Sequence, residues 1–245
     1  MLTVGSLFSG IGGLELGLEW TGGFVTKWQV ECDDYCNRVL ERRWPDVRRY
    51  RDVREVGRHN LEPVDLICGG FPCQDVSLAG KRAGLDGKRS TLWGEFARII
   101  GEIRPGWVLA ENVPGLLSSD DGRFFGNILR DLATCGYDAE WDCIPAAAVG
   151  APHRRDRIFI VAYAKSTRAR MDKRSLWRLP SKTNMAVDWG ERPCGSRLCR
   201  VADGVSRRVD RLRCLGNAVV PAVAEWVGRR IVDAESAYQN QTDLS

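Results

Sequence analysis

Strand-like and helix-like segments alternate through the first two-thirds of the chain, and this alternation limits the folds open to it. Short apolar stretches lie at 3–8, 24–31, 64–69 and 107–111, and segments with helical periodicity lie at 14–20, 33–43, 91–103 and 124–134. Strand-like stretches at 138–144 and 157–163 and a helical segment at 219–232 follow. This order predicts an α/β fold with a mostly parallel sheet and helices on both faces. In such sheets, ligands bind where the carboxyl ends of the strands meet.

Two stretches interrupt the alternation. Residues 71–90 contain Gly80, Gly84 and Gly87, and a loop of this length inside a compact domain is usually functional or disordered. Residues 164–210 are rich in Arg, Ser and Gly and show little periodicity. We interpret 164–208 as a small lobe inserted into a domain formed by 1–163 and 209–245.

Composition excludes several classes of protein. Nine Trp and seven Phe are too many for a chain that is disordered throughout. The longest stretch without a charge, 1–14, is shorter than the roughly 18 residues of a membrane span, and no basic segment precedes it as in a secretory signal. Nine scattered Cys without a CxxC pair, and only two His, predict free thiols in a reducing compartment and no metal site.

The charge is unevenly distributed. The formal net charge is +4, but residues 165–213 hold 14 Lys and Arg against five Asp and Glu, a local net charge of +9. A basic segment on an otherwise acidic chain favours a polyanionic partner, and a solvated basic face is the alternative.

A glycine-rich turn joins the first predicted strand to the first helix. Gly10, Gly12 and Gly13 follow Phe8, and glycines at this position let a ligand approach the backbone. Glu31 ends the second strand about 20 residues later, where an acid can bind the hydroxyls of a ribose. Asp52 would end a short third strand and could accept a hydrogen bond from an adenine amino group. Each feature alone fits an ordinary turn or helix cap, but together they suggest a nucleoside cofactor.

Three further positions carry reactive side chains at strand ends. Cys73 lies in the loop after 64–69, which suits a nucleophile, although a buried structural Cys is the alternative. Glu111 ends an apolar strand, so partial burial should raise its pKa and suit it to proton transfer. Arg155 and Arg157, as alternate residues entering a strand, should share a face and could bind a phosphate or a carbonyl oxygen.

These segments, in this order, resemble the cytosine-C5 DNA methyltransferase family, in the form of a small bacterial or phage-type stand-alone enzyme. The resemblance covers 3–163 and 209–232 and rests on FSGIGG at 8–13, Glu31, Asp52, GGFPCQ at 69–74, ENV at 111–113, HRRDR at 153–157 and GNAVVP at 216–221. It implies a Rossmann-like S-adenosylmethionine-dependent methyltransferase sheet with helices on both faces, plus a small inserted target-recognition lobe at 164–208. The family often has Gln where this chain has His153.

The resemblance also implies a role for each matching position. S-adenosylmethionine would be bound by residues from both ends of the catalytic domain: Phe8, Gly10, Gly12, Gly13, Glu31, Cys32, Asp52, Val53, Pro72, Leu92, Asn217 and Val219. The Cys73 thiolate would attack C6 of cytosine and so make C5 nucleophilic. Glu111 would bind and protonate N3, and Arg157 would bind O2 with Arg155 assisting. The target base must leave the double helix to be reached.

Double-stranded DNA is the expected partner, and a monomer acting on DNA in the cytoplasm of a bacterial or phage-infected cell is the expected form. The 71–90 loop would cover the flipped base, and the short basic lobe would read a short sequence while drawing much of its affinity from phosphates. The predicted DNA contacts are Gln74, Lys81, Arg82, Lys88, Arg89, Arg168, Arg170, Arg174 and Arg178. The lobe also holds Trp177.

Three alternative functions require other features of the sequence. A tRNA-methylating branch of the family carries a Cys-Phe-Thr tripeptide in its variable region, and this sequence lacks it. A catalytically silent DNA-binding protein of the same fold would not need Cys73 and Glu111. A nicotinamide-dependent dehydrogenase would need GxGxxG, which the turn at 8–13 does not match.

Overall fold

The computed structural model describes residues 1–72, 92–165, 176–178, 216 and 218–242, with side chains up to residue 236 in the last helix. Its strands are β1 (Leu2–Leu7), β2 (Phe24–Val30), β3 (Arg48–Tyr50), β4 (Leu66–Gly70), β5 (Trp107–Asn112), β6 (Tyr137–Pro145) and β7 (Asp156–Ala164). Its α-helices are α1 (Gly13–Trp20), α2 (Asp34–Arg43), α3 (Leu92–Ile103), α4 (Arg123–Thr134) and α5 (Pro221–Thr242). Short 3₁₀ turns include Val53–Glu55 and Leu176–Arg178.

The seven strands form one sheet in the order β3-β2-β1-β4-β5-β7-β6. The pairs β2–β3, β1–β2, β1–β4 and β4–β5 are parallel, whereas β7 runs antiparallel to both β5 and β6. The predicted α/β class is therefore confirmed. Because β1, β2, β4 and β5 run in the same direction, the residues that follow them share one edge of the sheet.

Each face of the sheet has its own hydrophobic core. One core joins strand residues such as Val4 and Leu109 to α1 and α5, through Leu18 and Val227. The other joins residues such as Ile67 to α3 and α4, and its members include Phe96, Ile99, Ile100 and Ile128. Successive strand residues point to opposite faces, which is why β4 and the first four residues of β5, 107–110, are apolar on both faces.

Helices α1 and α5 approach closely on the first face. A Cβ atom placed on Gly17 would lie 2.1 Å from the carbonyl oxygen of Pro221. Glycine is therefore required at this crossing, since any side chain would push the two helices apart. The contact brings the segment after residue 216 back against the first helix, beside the predicted glycine turn.

Candidate active site

The turn between β1 and α1 has an unusual backbone. Phe8, Gly10 and Gly12 have φ angles of 54°, 55° and 83°, in the left-handed region that glycine adopts readily. A Cβ on Gly10 would meet nothing within 4 Å, whereas a Cβ on Gly13 would lie 2.5 Å from the carbonyl oxygen of Val219. The turn thus presents backbone to open space at Gly10 and touches the returning segment at Gly13.

Glu31 lies directly after β2 and is hydrogen-bonded to this turn. Its Oε2 accepts from the Gly10 backbone N–H at 2.7 Å, and its Oε1 accepts from the Asp33 N–H at 2.8 Å. Each carboxylate oxygen can accept more than one hydrogen bond, so lone pairs remain for ligand hydroxyls. The carboxylate is therefore held in place beside the open side of the glycine turn.

Asp52 occupies a different setting from the one expected. The third strand ends at Tyr50, and Asp52 instead caps the 3₁₀ turn Val53–Glu55. The Arg54 guanidinium donates to the Asp52 carboxylate, with Nη2 2.6 Å from Oδ2. The Arg54 backbone N–H donates to Asp52 Oδ1 at 2.9 Å. These hydrogen bonds lower the pKa of Asp52 to about 2. Val53 next to it is buried, and Cys32 is exposed.

Glu111 and Arg157 form a buried ion pair where β5 and β7 lie side by side. Arg157 Nε lies 2.8 Å from Glu111 Oε1, and the Glu111 side chain is 8% exposed. Burial raises the pKa of Glu111 to about 7, although the charges of Arg157 and Arg155 oppose this rise. A Cβ on Gly70 would lie 2.8 Å from Glu111 Oε2, so glycine there leaves room for the carboxyl group.

Asn112 links this pair to Phe71, two residues before Cys73 in the sequence. Its buried Nδ2 donates to the carbonyl oxygen of Phe71 at 2.9 Å. The Phe71 ring packs against Trp93 and Phe96 of α3, with ring centroids 5.0 and 6.4 Å away. The backbone just before Cys73 is therefore fixed to the strand end that carries Glu111.

Arg155 does not share the environment of Arg157. The strand begins at Asp156, and Arg155 has a φ of 37°, so strand alternation does not set the direction of its side chain. Its Nη2 donates to the carbonyl oxygens of Gly216, at 2.6 Å, and Ala218. It still lies close enough to Glu111 for the two charges to affect each other's pKa. Arg155 thus holds the returning segment against the site.

Several predicted site residues lie outside the described residues: Cys73, Gln74, Lys81, Arg82, Lys88, Arg89, Arg168, Arg170, Arg174 and Asn217. Of Arg178, only the backbone in its 3₁₀ turn is described. Pro72 and Leu92 stand on either side of 73–91, with Pro72 exposed and Leu92 half-buried. The structure brings together the glycine turn, Glu31, Val219, Glu111, Arg155 and Arg157.

Sequence reasoning missed a buried acid beneath the glycine turn. Glu15 on α1 is fully buried, together with Ser6 on β1 and Gln29 on β2. The available signal was an acid flanked by Leu14 and Leu16 at the start of the first helix, directly after the glycines. The sequence placed Trp177 in the basic lobe but did not predict its contact: Trp177 stacks on Trp226 of α5 with ring centroids 6.0 Å apart.

Comparisons with known proteins agree with this arrangement. The C-5 cytosine-specific DNA methylase family matches residues 2–189. The chain belongs to this family. The Type II methyltransferase M2.BsuMI of Bacillus subtilis (strain 168) is 38% identical to this family member over 165 residues, covering 66% of the chain and 42% of that protein. M.SsoII of Shigella sonnei is 30% identical over 231 residues, covering 93% of the chain and 55% of that protein.

A solved structure supports the same fold. A crystal structure described as a DNA modification methyltransferase encoded within an E. coli prophage superposes with a TM-score of 0.60 at 28% identity. The match covers 75% of this DNA methylase family member and 52% of that protein. The Rossmann-like methyltransferase fold is thereby confirmed. The chain spans about half the length of the curated relatives it matches.

The described residues contain neither a metal-binding cluster nor a membrane-spanning helix. Among these residues, no group of three or more His, Cys, Asp or Glu side chains could hold a metal ion. No described helix combines the length and the apolar character needed to cross a membrane.

Proposed function

We propose that this chain transfers a methyl group from S-adenosylmethionine to C5 of cytosine in double-stranded DNA, at a short specific sequence. The reaction runs through a covalent bond between Cys73 and C6 of a flipped-out base. The observation that carries this proposal is the buried Glu111–Arg157 pair at the sheet edge. A carboxyl group that can hold a proton, next to a guanidinium, matches the N3 and O2 edge of cytosine.

The residues around the glycine turn fit S-adenosylmethionine. Gly10 faces open space, and Glu31 stands beside it with free lone pairs for the ribose hydroxyls. Asp52 would accept a hydrogen bond from the adenine amino group, and Val53 would contact the ring. Cys32, Pro72 and Leu92 would line the rest of the adenine site. Asn217 and Val219 would close the site from the returning segment. When bound, the cofactor supplies an electrophilic methyl group on a sulfonium.

Glu111 and Arg157 would bind and activate the base. With a pKa near 7, Glu111 keeps a proton in a large fraction of molecules at neutral pH and can donate it to N3. Arg157 would donate to O2, which also favours electron flow away from C6. Arg155 holds the carbonyl oxygens of Gly216 and Ala218, so we assign it the positioning of the returning segment beside the base.

Cys73 would carry the covalent step. Its thiolate forms a bond to C6, and the ring becomes an enamine in which C5 is nucleophilic. After C5 has been methylated, loss of the C5 proton restores the double bond and the Cys73–C6 bond breaks. Each turnover thus regenerates the thiolate and leaves 5-methylcytosine.

DNA would be held by the basic positions outside the core of the sheet. We propose 164–208 as the recognition lobe and 1–163 with 209–245 as the catalytic domain. Gln74, Lys81, Arg82, Lys88 and Arg89 would contact DNA from the loop after β4, and Arg168, Arg170, Arg174 and Arg178 from the lobe. The Type II names of the relatives suggest a restriction-modification setting, in the cytoplasm of a bacterial or phage-infected cell.

Nucleoside mass spectrometry tests this function directly. The purified chain is incubated with S-adenosylmethionine and unmethylated duplex DNA, and in parallel with tRNA. New 5-methyldeoxycytidine in the DNA supports the proposal, and methylated tRNA with unmodified DNA would support the tRNA-methylating alternative. Absence of product on both, with cofactor binding intact, would indicate a silent DNA-binding protein.

The Cys73→Ala variant tests the mechanism. It should abolish methyl transfer, because no other group in the proposal can form the bond to C6, while cofactor binding stays within about twofold. Turnover within about tenfold of the parent would rule out Cys73 as the nucleophile, since loss of a covalent nucleophile costs far more. Cys143, an exposed cysteine on β6, provides the control: Cys143→Ala should keep full activity.

A further inference from the structure

Five polar side chains are buried together beneath the glycine turn. Ser6 of β1, Glu15 of α1, Gln29 of β2 and Cys68 of β4 are fully buried, and Ser9 in the turn itself is 9% exposed. Ser9 Oγ donates to Ser6 Oγ at 2.9 Å. Hydrogen bonds from the side chains of Ser6, Ser9 and Gln29 affect the pKa of the Glu15 carboxyl, which they lower against the larger effect of burial. Glu15 therefore joins one helix to the turn and to two strands of the sheet.

The cluster reaches the cofactor-facing backbone through Ser9. Ser9 immediately precedes Gly10, and its N–H donates to the carbonyl oxygen of Val30 at 3.1 Å. Its own carbonyl oxygen accepts from the Gly12 N–H at 2.9 Å. A group that holds the Ser9 side chain in the buried cluster therefore also holds the backbone of the glycine turn.

Two buried oxygens in the cluster point to a missing proton. The Gln29 Nε2 donates to Glu15 Oε1 at 3.4 Å, yet Glu15 Oε2 and Gln29 Oε1 have no hydrogen-bond partner in the described part of the chain. Both are acceptors when Glu15 is ionised. If Glu15 is the neutral acid, its O–H can donate to Gln29 Oε1, and both oxygens are then satisfied.

The titratable neighbours are consistent with an uncharged Glu15. Burial is the main cause that raises the pKa of Glu15 to about 7. Cys68 remains a thiol because burial raises its pKa well above the usual value. Glu19, one turn further along α1, accepts hydrogen bonds from Thr26 Oγ1 and Trp44 Nε1. Its charge also contributes to the raised pKa of Cys68.

We propose that Glu15 is a positioning residue of the cofactor site, which as the uncharged acid bonds to Gln29 and holds the glycine turn through Ser6 and Ser9 in its binding conformation. The inference rests on the proposed function for the identity of the cofactor. Ionisation of Glu15 would leave its Oε2 and Gln29 Oε1 as two buried acceptors with no donor among the described residues, and so loosen the turn. Cofactor affinity should therefore fall as pH rises through about 7.

Calorimetric titration with S-adenosylhomocysteine tests the proposal on the full chain. Between about pH 6 and about pH 8.5, the wild-type Kd should rise roughly tenfold, which corresponds to about one unit of coupled pKa change. Glu15→Gln keeps the shape of the neutral acid and can still donate to Gln29 Oε1. Its Kd should match the wild-type value at about pH 6 within about twofold and stay flat to about pH 8.5.

Glu111→Gln is the matched control, since Glu111 also has a pKa near 7 but lies at β5, outside the cluster. This variant should keep the wild-type pH dependence of Kd. A flat wild-type profile, or a Glu15→Gln profile as steep as the wild-type one, would overturn the role of Glu15. Binding that is flat in pH leaves the proposed function standing, whereas absence of binding at every pH counts against the proposed function itself.

Urea unfolding without cofactor gives a second test. The folded-state pKa of Glu15 lies above the ordinary value of 4.5, so its stabilising contribution is complete below about pH 4.5 and is lost as pH rises through about 7. The midpoint urea concentration of Glu15→Gln should rise relative to that of the wild type over this range. A constant difference between the two proteins from about pH 4.5 to about pH 8 would show that Glu15 is not protonated in the folded chain.

Discussion

At the scale of single residues, the site depends on how burial acts on two carboxyl groups. Glu15 and Glu111 both have pKa values raised to about 7, mainly because burial disfavours the charged form. Their partners differ: Glu15 is surrounded by hydroxyl, amide and thiol groups, whereas Glu111 faces Arg157 at the strand end. In our proposals, the same physical effect would serve a structural role for Glu15 beneath the glycine turn and a chemical role for Glu111 beside the base.

Glu111→Gln should lower kcat/KM by about 100-fold or more, because the amide cannot supply a proton to N3. In the wild type, the fraction of protonated Glu111 falls as pH rises above about 7, so this group should give an alkaline decline in kcat/KM. The variant should lack that decline. Methyl transfer from labelled S-adenosylmethionine, measured from about pH 6 to about pH 9, checks both points.

Glu225→Gln provides a control, since Glu225 lies on α5 and pairs with Arg229 away from Glu111. It should keep the wild-type rate and pH profile. If Glu111→Gln stays within about threefold of the wild type at every pH, proton donation by Glu111 is excluded.

At the scale of helices and strands, glycines divide into those the packing requires and those it does not. Gly17 in α1 lies against the Pro221 carbonyl oxygen, and Gly228 in α5 would place a Cβ 2.9 Å from Leu18. Gly126 in α4 would place a Cβ in open space. Helix propensity favours Ala at all these positions, so only packing decides the sign of the change.

Gly126→Ala should raise the free energy of unfolding by about 0.5–1 kcal/mol, because Ala restricts the unfolded chain and meets no neighbour. Gly17→Ala should lower it by about 1–3 kcal/mol, because the new methyl group forces α1 and α5 apart. Urea denaturation of both variants measures the two changes. Equal effects of the same sign would show that the α1–α5 contact does not resist a side chain.

The sequence predicted the elements better than it predicted their pairing. Most strand and helix segments agree with the structure to within a few residues, because burial patterns and glycine turns are local. The exception is the last helix, predicted at 219–232, which runs from Pro221 to Thr242. The antiparallel direction of β7 was not foreseen, although β6 and β7 are separated by only ten residues, 146–155, too few for a crossover helix. The positions of Glu31 and Glu111 at strand ends were predicted, while the burial of Glu15 depends on tertiary contacts. The Arg54–Asp52 pair is local, two residues apart, but it forms in a 3₁₀ turn and not at the strand end that was predicted.

At the scale of the whole molecule, the positive charge is concentrated in one part of the sequence, which in the proposed function binds DNA. The +9 segment 165–213 includes Leu176–Arg178, which is fixed to the catalytic core. Leu176 is fully buried, its N–H donates to Glu140 Oε2 at 3.1 Å, and Trp177 stacks on Trp226. The basic segment is therefore attached at 176–178, in its first third, to the sheet domain through β6 and α5.

DNA affinity should depend steeply on salt. With about four phosphate contacts, the Kd for duplex DNA should rise about 100-fold between about 50 and about 200 mM salt. Fluorescence anisotropy with a labelled duplex measures this slope. Replacing Arg168, Arg170 and Arg174 by Ala should reduce the slope of log K against log salt by up to about 2.7, or 0.9 for each lost contact. A slope near zero in the parent chain would contradict phosphate-driven binding.

The packing of α5 on α1 has a consequence for how the chain is made. The core on that side of the sheet combines Val4, Leu14 and Leu18 with Val219, Val223 and Val227, residues separated by about two hundred positions of synthesis. The glycine turn can acquire its final shape only once Val219 has left the ribosome and reached Gly13. Until then, the emerging chain exposes the apolar surface that α5 will cover, so aggregation and chaperone capture compete with folding.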